Sequence, residues 1–261
     1  MNRWLHLYHK DFAEKGVRPT RIENAFVRSH LYSELNEDGS KDAAVELELS
    51  LIENKIDPVL SKIHLAALEN RLPKLTQADH DIWNQFFLTQ WKRSPDLKKA
   101  VMTDSQLLIE LSDIHSYLRQ RFPNRTPDID AMDEPRRNAR VIRNARVRSL
   151  RDRSPKVMRV LEKRGLSILR IRAPNKSFVI GGRPVIQLAF RPGRTLVDDD
   201  TEMWLPISSN VAVGVGRGGQ RESLYFLDDA KPIRLLNAAI ASQSSEFASC
   251  SAKLTASLAG V

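Results

Sequence analysis

The sequence predicts an α+β fold, with short N-terminal strands, a helical middle and a C-terminal, mainly antiparallel sheet closed by a helix. Three observations carry this. Apolar residues recur at steps of three and four between about residues 42 and 121, which is the helical period. After residue 166 the period changes to two, in short segments separated by Pro, Asn and Gly. The two patterns are segregated along the chain, which separates this class from folds that alternate strand and helix.

The first forty residues suggest strands and turns. Residues 4–8 are apolar with one His, Gly16 to Pro19 break the pattern, residues 25–31 resume it, and Glu37-Asp38-Gly39 turns the chain. Val45, Leu49, Ile52, Ile56, Val59 and Ile63 then lay one apolar stripe along a helix over residues 42–68, with a kink expected at Pro58. Thr76 followed by Asp79 resembles a capping box that opens a second helix through Trp83, Phe86, Phe87 and Trp91 to about Val101. A third helix is predicted from Thr103 or Asp104 through Leu107, Leu111, Ile114 and Leu118 to Arg121. Three prolines and four acids between Phe122 and Pro135 mark residues 122–135 as a loop or hinge.

Two short helices rich in arginine follow, over residues 136–165. The first has a thin apolar face of Ala139, Ile142 and Ala145. The second starts at Ser154-Pro155 and stops at Gly165. Strands are predicted over 166–173, 178–180, 184–190, 203–207, 211–215 and 223–227. A helix over about 231–242 closes the region, and the Ser/Ala-rich residues 252–261 form a tail. No internal repeat is visible. The divisions 1–121, 122–135, 136–165, 166–251 and 252–261 fit one continuous domain.

Charge is the most informative property. Residues 136–172 hold 14 Lys and Arg against Asp152 and Glu162, or +12, whereas the whole chain holds +9. The remainder is 27 basic against 30 acidic, or −3. Such a block suits a nucleic acid, because each phosphate it neutralises releases condensed counterions. The candidate contacts are Arg136, Arg137, Arg140, Arg143, Arg146, Arg148 and Arg151. Residues 136–164 contain no Phe, Tyr or Trp, so contacts there would be to phosphates rather than stacked bases. The competing reading is a solvated helical pair that neutralises acidic faces such as Glu46, Glu48 and Asp57.

Other chemistry finds less support. A single cysteine, Cys250, rules out an internal disulfide and a multi-cysteine zinc site. The N-terminal residues lack the apolar core of a signal peptide, and no stretch approaches the ~20 apolar residues of a membrane span, which predicts a cytoplasmic protein without membrane contact. Asp198-Asp199-Asp200 with Glu202 is weighed as a magnesium site and set below solvated acids, because no spaced ligand pattern supports it. His6 and His9 stand on opposite faces of a strand. Gly214-Val215-Gly216 with Gly218-Gly219 is not followed by a helix, so it suits a hairpin tip better than a dinucleotide site. Neither a metal nor a cofactor is predicted. Glu53, Gln90 and Arg93 are the candidate catalytic residues, and the alternative for them is a structural network locking two helices.

The order of short motifs is more specific than any one of them. Leu5-His6-Leu7-Tyr8-His9-Lys10, residues 25–32, Ile52-Glu53-Asn54 running into Asp57-Pro58-Val59-Leu60, and residues 87–90 with Arg93-Ser94-Pro95 resemble the first half of the proteins grouped as domain of unknown function 4238. Residues 166–172, Phe178-Val179-Ile180-Gly181-Gly182-Arg183-Pro184-Val185, Trp204-Leu205-Pro206-Ile207-Ser208 and the helix around Asn237 resemble its second half. The resemblance spans about residues 4–251. It implies a His-His-Tyr-Val-Pro segment ahead of the first strand, which this chain does not contain, and an Asp where Gly182 stands. The resemblance brings no activity with it. The function expected is nucleic-acid binding by a truncated or degenerate nuclease-like protein, inactive as it stands, with a non-enzymatic protein-interaction or regulatory module as the alternative. The missing segment suggests that Met1 is an internal start, since a strand so near the terminus would otherwise leave an unpaired edge.

Overall fold

The structure is a computed structural model that describes residues 4–27, 30–94, 103–189, 198, 200–216 and 220–261. Strands β1 (Trp4–His9), β2 (Arg18–Arg21), β3 (Glu34–Leu35) and β4 (Lys41–Asp42) are followed by helices α1 (Ala44–Leu68), α2 (Gln77–Arg93), α3 (Asp104–Arg121), α4 (Thr126–Met132), α5 (Pro135–Arg148) and α6 (Pro155–Arg164). Strands β5 (Leu166–Ile171), β6 (Ile180–Gly181), β7 (Ile186–Ala189), β8 (Thr201–Pro206), β9 (Val211–Val215) and β10 (Glu222–Leu227) come next, then α7 (Ala230–Gln243), β11 (Glu246–Ser249) and α8 (Ala252–Ala259). The fold is α+β.

Two compact units divide the chain. The larger, called here the sheet unit, comprises Met1–Arg28, Leu51–Asp96 and Arg153–Val261; the arginine-helix unit comprises Ser29–Ser50 and Leu97–Asp152. The apolar stripe of α1 serves both. Val45 and Leu49 bury against Val147 and Leu150 in the arginine-helix unit. Ile56, Val59 and Ile63 bury with Trp83, Phe87, Leu161, Leu166 and Ile168 in the sheet unit. Truncating an aliphatic side chain as fully buried as Ile63 costs about 2–5 kcal/mol. Helix α1 continues through Pro58, which stands on its exposed side, where a carbonyl deprived of its donor meets water. It ends in a Schellman motif: Asn70 takes φ 56°, its N–H donates to the Ala67 carbonyl, and the Arg71 N–H donates to Ala66.

The capping box read at Thr76 forms, and a second, not read from the sequence, stands at Thr103. Asp79 N–H donates to Thr76 Oγ1 and Thr76 N–H to Asp79 Oδ2; Thr103 and Gln106 make the same reciprocal pair at α3. The second helix, predicted to reach about Val101, instead ends at Arg93, where Ser94 turns extended (φ −65°, ψ 125°) ahead of Pro95, which disfavours a helical residue before it; residues 95–102 lie outside the described residues. The segment predicted as a loop, 122–135, instead carries a 3-10 turn (Pro123–Arg125) and α4. Its prolines sit in the first turns, where a proline's missing N–H costs nothing. Residues 25–26 and 30–31 form turns rather than the resumed strand, and residues 28–29 lie outside the described residues.

Within the sheet unit, a four-stranded sheet has the order β2-β1-β11-β6 and a five-stranded sheet the order β10-β5-β9-β8-β7. Among the described residues only β10 with β5 is parallel; the other pairs are antiparallel. Pro19 stands on the edge strand β2, where a missing N–H is tolerated. Strand β11, unread in the sequence, pairs with β1 from His6↔Ser249 to His9↔Glu246. Both edges of β1 are therefore occupied, which removes the argument from an unpaired edge. Gly214 and Val215 lie within β9, and β9 and β10 flank β5 on opposite sides rather than pairing with each other as a hairpin would, while Gly218 and Gly219 lie outside the described residues. Gly214 is needed for close approach: a Cβ there would stand 1.8 Å from the Met203 carbonyl oxygen. The Ser/Ala-rich tail is the helix α8, capped by Ser251, whose Oγ accepts from the Leu254 N–H.

Candidate functional site

The arginine helix α5 is held within its own unit by its charged face. Arg140 pairs with Glu37 at 3.0 Å, Arg148 with Glu34 at 2.7 Å, Arg151, just beyond the helix, with Glu48 at 3.0 Å, and Arg146 with Asp104. Arg143 donates to the carbonyls of His30 (2.8 Å) and Ser33 (3.2 Å), and Arg137 to that of Ala131 (3.4 Å). Asn144 bridges β3 from both sides, accepting from the Leu35 N–H and donating to the Leu35 carbonyl. Of the seven predicted contact arginines, Arg136 alone has no side-chain partner among the described residues. Glu48, one of the acidic positions suggested by sequence, does meet an arginine. Glu46 instead accepts from Tyr32 N–H and Ser33 Oγ.

Summed by unit, the net charge sits in the sheet unit, which holds the second half of the sequence block, residues 153–172. The arginine-helix unit holds 13 basic and 14 acidic residues, net −1, whereas the sheet unit holds 28 basic and 18 acidic, net +10. Helix α6 belongs to the sheet unit, packing Val157, Met158, Val160 and Leu161 onto the core of α1, α2 and β5. Its outer face shows Lys156, Arg159 and Lys163, spaced i, i+3, i+7 and hence on one side of the helix. All three are exposed and form no ion pair with a described residue.

The three candidate catalytic residues are brought near one another only in part. Arg93 pairs with Glu53, with about 29% and 44% of their side chains exposed. Gln90 is buried, and no hydrogen bond joins it to either. Beyond Arg93, Ser94 Oγ lies 3.5 Å from the carbonyl oxygen of Gly182, so the end of α2 sits beside the turn where the resemblance places an aspartate. That turn is fixed by Gly182 N–H to the Glu246 carbonyl and Arg183 N–H to Ser244 Oγ, and a Cβ on Gly181 would strike Ser244 Oγ at 2.2 Å.

Of the acidic run, Asp199 lies outside the described residues, and Glu202 accepts from Trp204 Nε1 at 3.0 Å. Among the described residues, no group of three His, Cys, Asp or Glu is placed to hold a metal, and no helix is long and apolar enough to cross a membrane. His9 caps the following 3-10 turn, its Nδ1 accepting from Asp11 N–H.

Two buried histidine contacts escaped sequence reading because their partners are distant or acquired by folding. His80 Nε2 stands 2.9 Å from Glu222 in the sheet unit. In the arginine-helix unit, His115 Nδ1 lies 2.9 Å from Asp133, which also accepts from Arg119 and Asn138. The Arg119 guanidinium above all, then Asn138 and His115, hold the Asp133 carboxyl far below the usual carboxylate range.

The sheet unit also contains an open cleft of about 810 Å³. The loop carrying Asn175, Lys176 and Ser177, helix α7 and the first turns of α8 line it. No sequence motif marks it, since its cations, Lys176, Arg234 and Lys253, are scattered through the chain.

The architecture is that of an α+β protein. The chain belongs to the family described as "Protein of unknown function (DUF4238)", whose profile matches residues 2–252. No curated protein and no solved structure matches it.

Proposed function

We propose that this chain binds nucleic acid without sequence preference, through phosphate contacts made by the sheet unit. The observation that carries the reading is the partition of charge: +10 on the sheet unit, with Lys156, Arg159 and Lys163 presented together on α6. Absence of aromatics from α6 leaves phosphate contact as its mode, and such contact is set by salt rather than by base sequence. Arg136 adds one available cation in the other unit, while the remaining arginines of α5 would first have to leave their partners. The proposal is one of binding and not of turnover.

Anisotropy of labelled single- and double-stranded oligonucleotides tests it. With about three phosphates neutralised, log affinity should fall against log salt with a slope of about −3. Replacing Lys156, Arg159 and Lys163 by Glu should weaken binding by about tenfold or more. Affinity that ignores salt, or an unchanged triple variant, would overturn the reading.

One observation favours a protein partner instead. Helix α3 buries only His115, while Leu108, Ile109, Ile114 and Tyr117 are exposed. Self-association in sedimentation velocity, lost on Ile109→Glu, would support that second reading.

A further inference from the structure

The cleft of the sheet unit has a composition that its neighbours do not neutralise. Lys176, Arg234 and Lys253 are the charged residues of its lining, and no Asp or Glu accompanies them. All three are exposed, and none makes an ion pair or side-chain hydrogen bond with a described residue. The acids beside α7 in sequence are engaged elsewhere. Asp228 forms a two-pronged pair with Arg172 at 2.8 and 2.7 Å, which holds its carboxyl below the ordinary range, and Asp229 caps α7 through the Lys231 N–H.

The rest of the lining sets the kind of anion. Ile233, Leu254 and Leu258 join the apolar core beneath, so the floor is aliphatic and anchored. Ser177, Ser251 and Ser257 supply hydroxyls at the rim. Asn237 spends its amide on the loop, accepting from Val179 N–H at 3.0 Å and donating to the Ser177 carbonyl at 2.8 Å, so the loop bearing Lys176 is fixed before any ligand arrives. No Phe, Tyr, Trp or His lines the cleft, which leaves a nucleobase without a stacking surface. The volume falls within the ~300–1,000 Å³ of small-molecule sites.

We propose that this cleft binds a small phosphorylated ligand with an aliphatic body, its phosphates held by Lys176, Arg234 and Lys253 and its chain lying on Ile233, Leu254 and Leu258. The site is separate from the α6 face. Such a ligand exists free or as the headgroup end of a phospholipid, and the free form is the one inferred, because the floor is enclosed by the unit's own core.

Calorimetric titration of the full chain with geranyl diphosphate, pyrophosphate and ATP tests this. Geranyl diphosphate should bind at least about tenfold more tightly than pyrophosphate, through the aliphatic area it buries. ATP should bind more weakly than geranyl diphosphate. Arg234→Glu with Lys253→Glu should lower that affinity about tenfold or more while leaving the circular dichroism unchanged. The triple Glu variant of α6 should bind it as the parent does. The proposal is overturned if geranyl diphosphate gives no heat at ~1 mM, if the double variant binds equally, or if ATP binds as tightly. It is overturned also if the chain co-sediments with phosphatidic acid vesicles yet ignores the soluble diphosphate.

Discussion

The two units treat their positive charge in opposite ways. In the arginine-helix unit, α5 brings guanidinium groups onto Glu34, Glu37 and Asp104, with Arg151 reaching Glu48 just beyond its end, and the sum is close to zero. In the sheet unit, α6 presents fewer cations, yet Lys156, Arg159 and Lys163 meet no acid among the described residues. A high local density of arginine is thus different from available charge. The block seen in the sequence looks isolated because three of its acids, Glu34, Glu37 and Glu48, lie about a hundred residues earlier, in the segment that folds onto it. What a polyanion would meet is set by the residues left over after internal pairing.

The sharpest way to break this comparison is to remove the arginines of the neutral unit. From sequence alone, replacing Arg140, Arg143, Arg148 and Arg151 by Ser should abolish nucleic-acid binding and leave the fold intact, since a helix with so thin an apolar face turns such side chains to solvent. The structure shows all four side chains bonded within their own unit, so the fold should feel their loss, and under the sheet-unit proposal the binding should not. Loss of three ion pairs and of Arg143's two carbonyl contacts leaves Glu34, which is nearly buried, without its partner. The quadruple variant should therefore loosen the arginine-helix unit, read as faster amide exchange in α5 and β3. Nucleic-acid affinity should change by less than about threefold. Intact exchange protection combined with lost binding would restore the sequence-based view.

Much of the fold was legible because local signals and tertiary demands agree. The stripe of α1 is buried from Val45 to Ile63, Ile52 partly, and the capping box at Thr76 forms. The six predicted C-terminal strands reappear as β5 to β10. Misreadings arose where one residue type serves two ends. Prolines at 123, 127 and 135 start helical turns although their density suggests a loop, and the Ser-rich terminus hides a capped helix. Strand β11 is only four residues long, and its partner β1 lies at the other end of the chain, so no local pattern announces it. The same holds for function. Pairing of α5 with acids, and the convergence of Lys176, Arg234 and Lys253 on one cleft, are products of topology.

A second test concerns acid sensitivity, which should differ between the units. Asp133 gains Arg119, Asn138 and His115 on folding, so its carboxyl titrates far lower in the folded than in the unfolded chain, where a value of about 3.9 applies. A depressed carboxylate contributes stability that is fully present above its unfolded pKa and is lost as the pH falls below it. Asp133→Asn should lower the stability of the arginine-helix unit at neutral pH and flatten its loss of stability below about pH 4. Exchange-resolved acid titration separates the units, and the sheet unit should show no change. An acid limb as steep in the variant as in the parent would remove Asp133 from the account.

The smallest effect is expected at the pair first suspected of catalysis. A buried Glu53–Gln90–Arg93 network would make Arg93→Leu cost about 2–4 kcal/mol, the usual penalty of stranding a buried charge. The structure shows a pair with both side chains substantially exposed, so water can solvate Glu53 when its partner is removed, and exposed pairs contribute roughly 0.2–1 kcal/mol. Gln90, buried and joined to neither, does not transmit the change into the core by a hydrogen bond. Chemical denaturation of Arg93→Leu should therefore place its stability within about 1 kcal/mol of the parent. A loss above that range would mean that Arg93 holds the end of α2 against the Gly182 turn, and that this corner of the sheet unit is as tightly interlocked as α5 is with its acids.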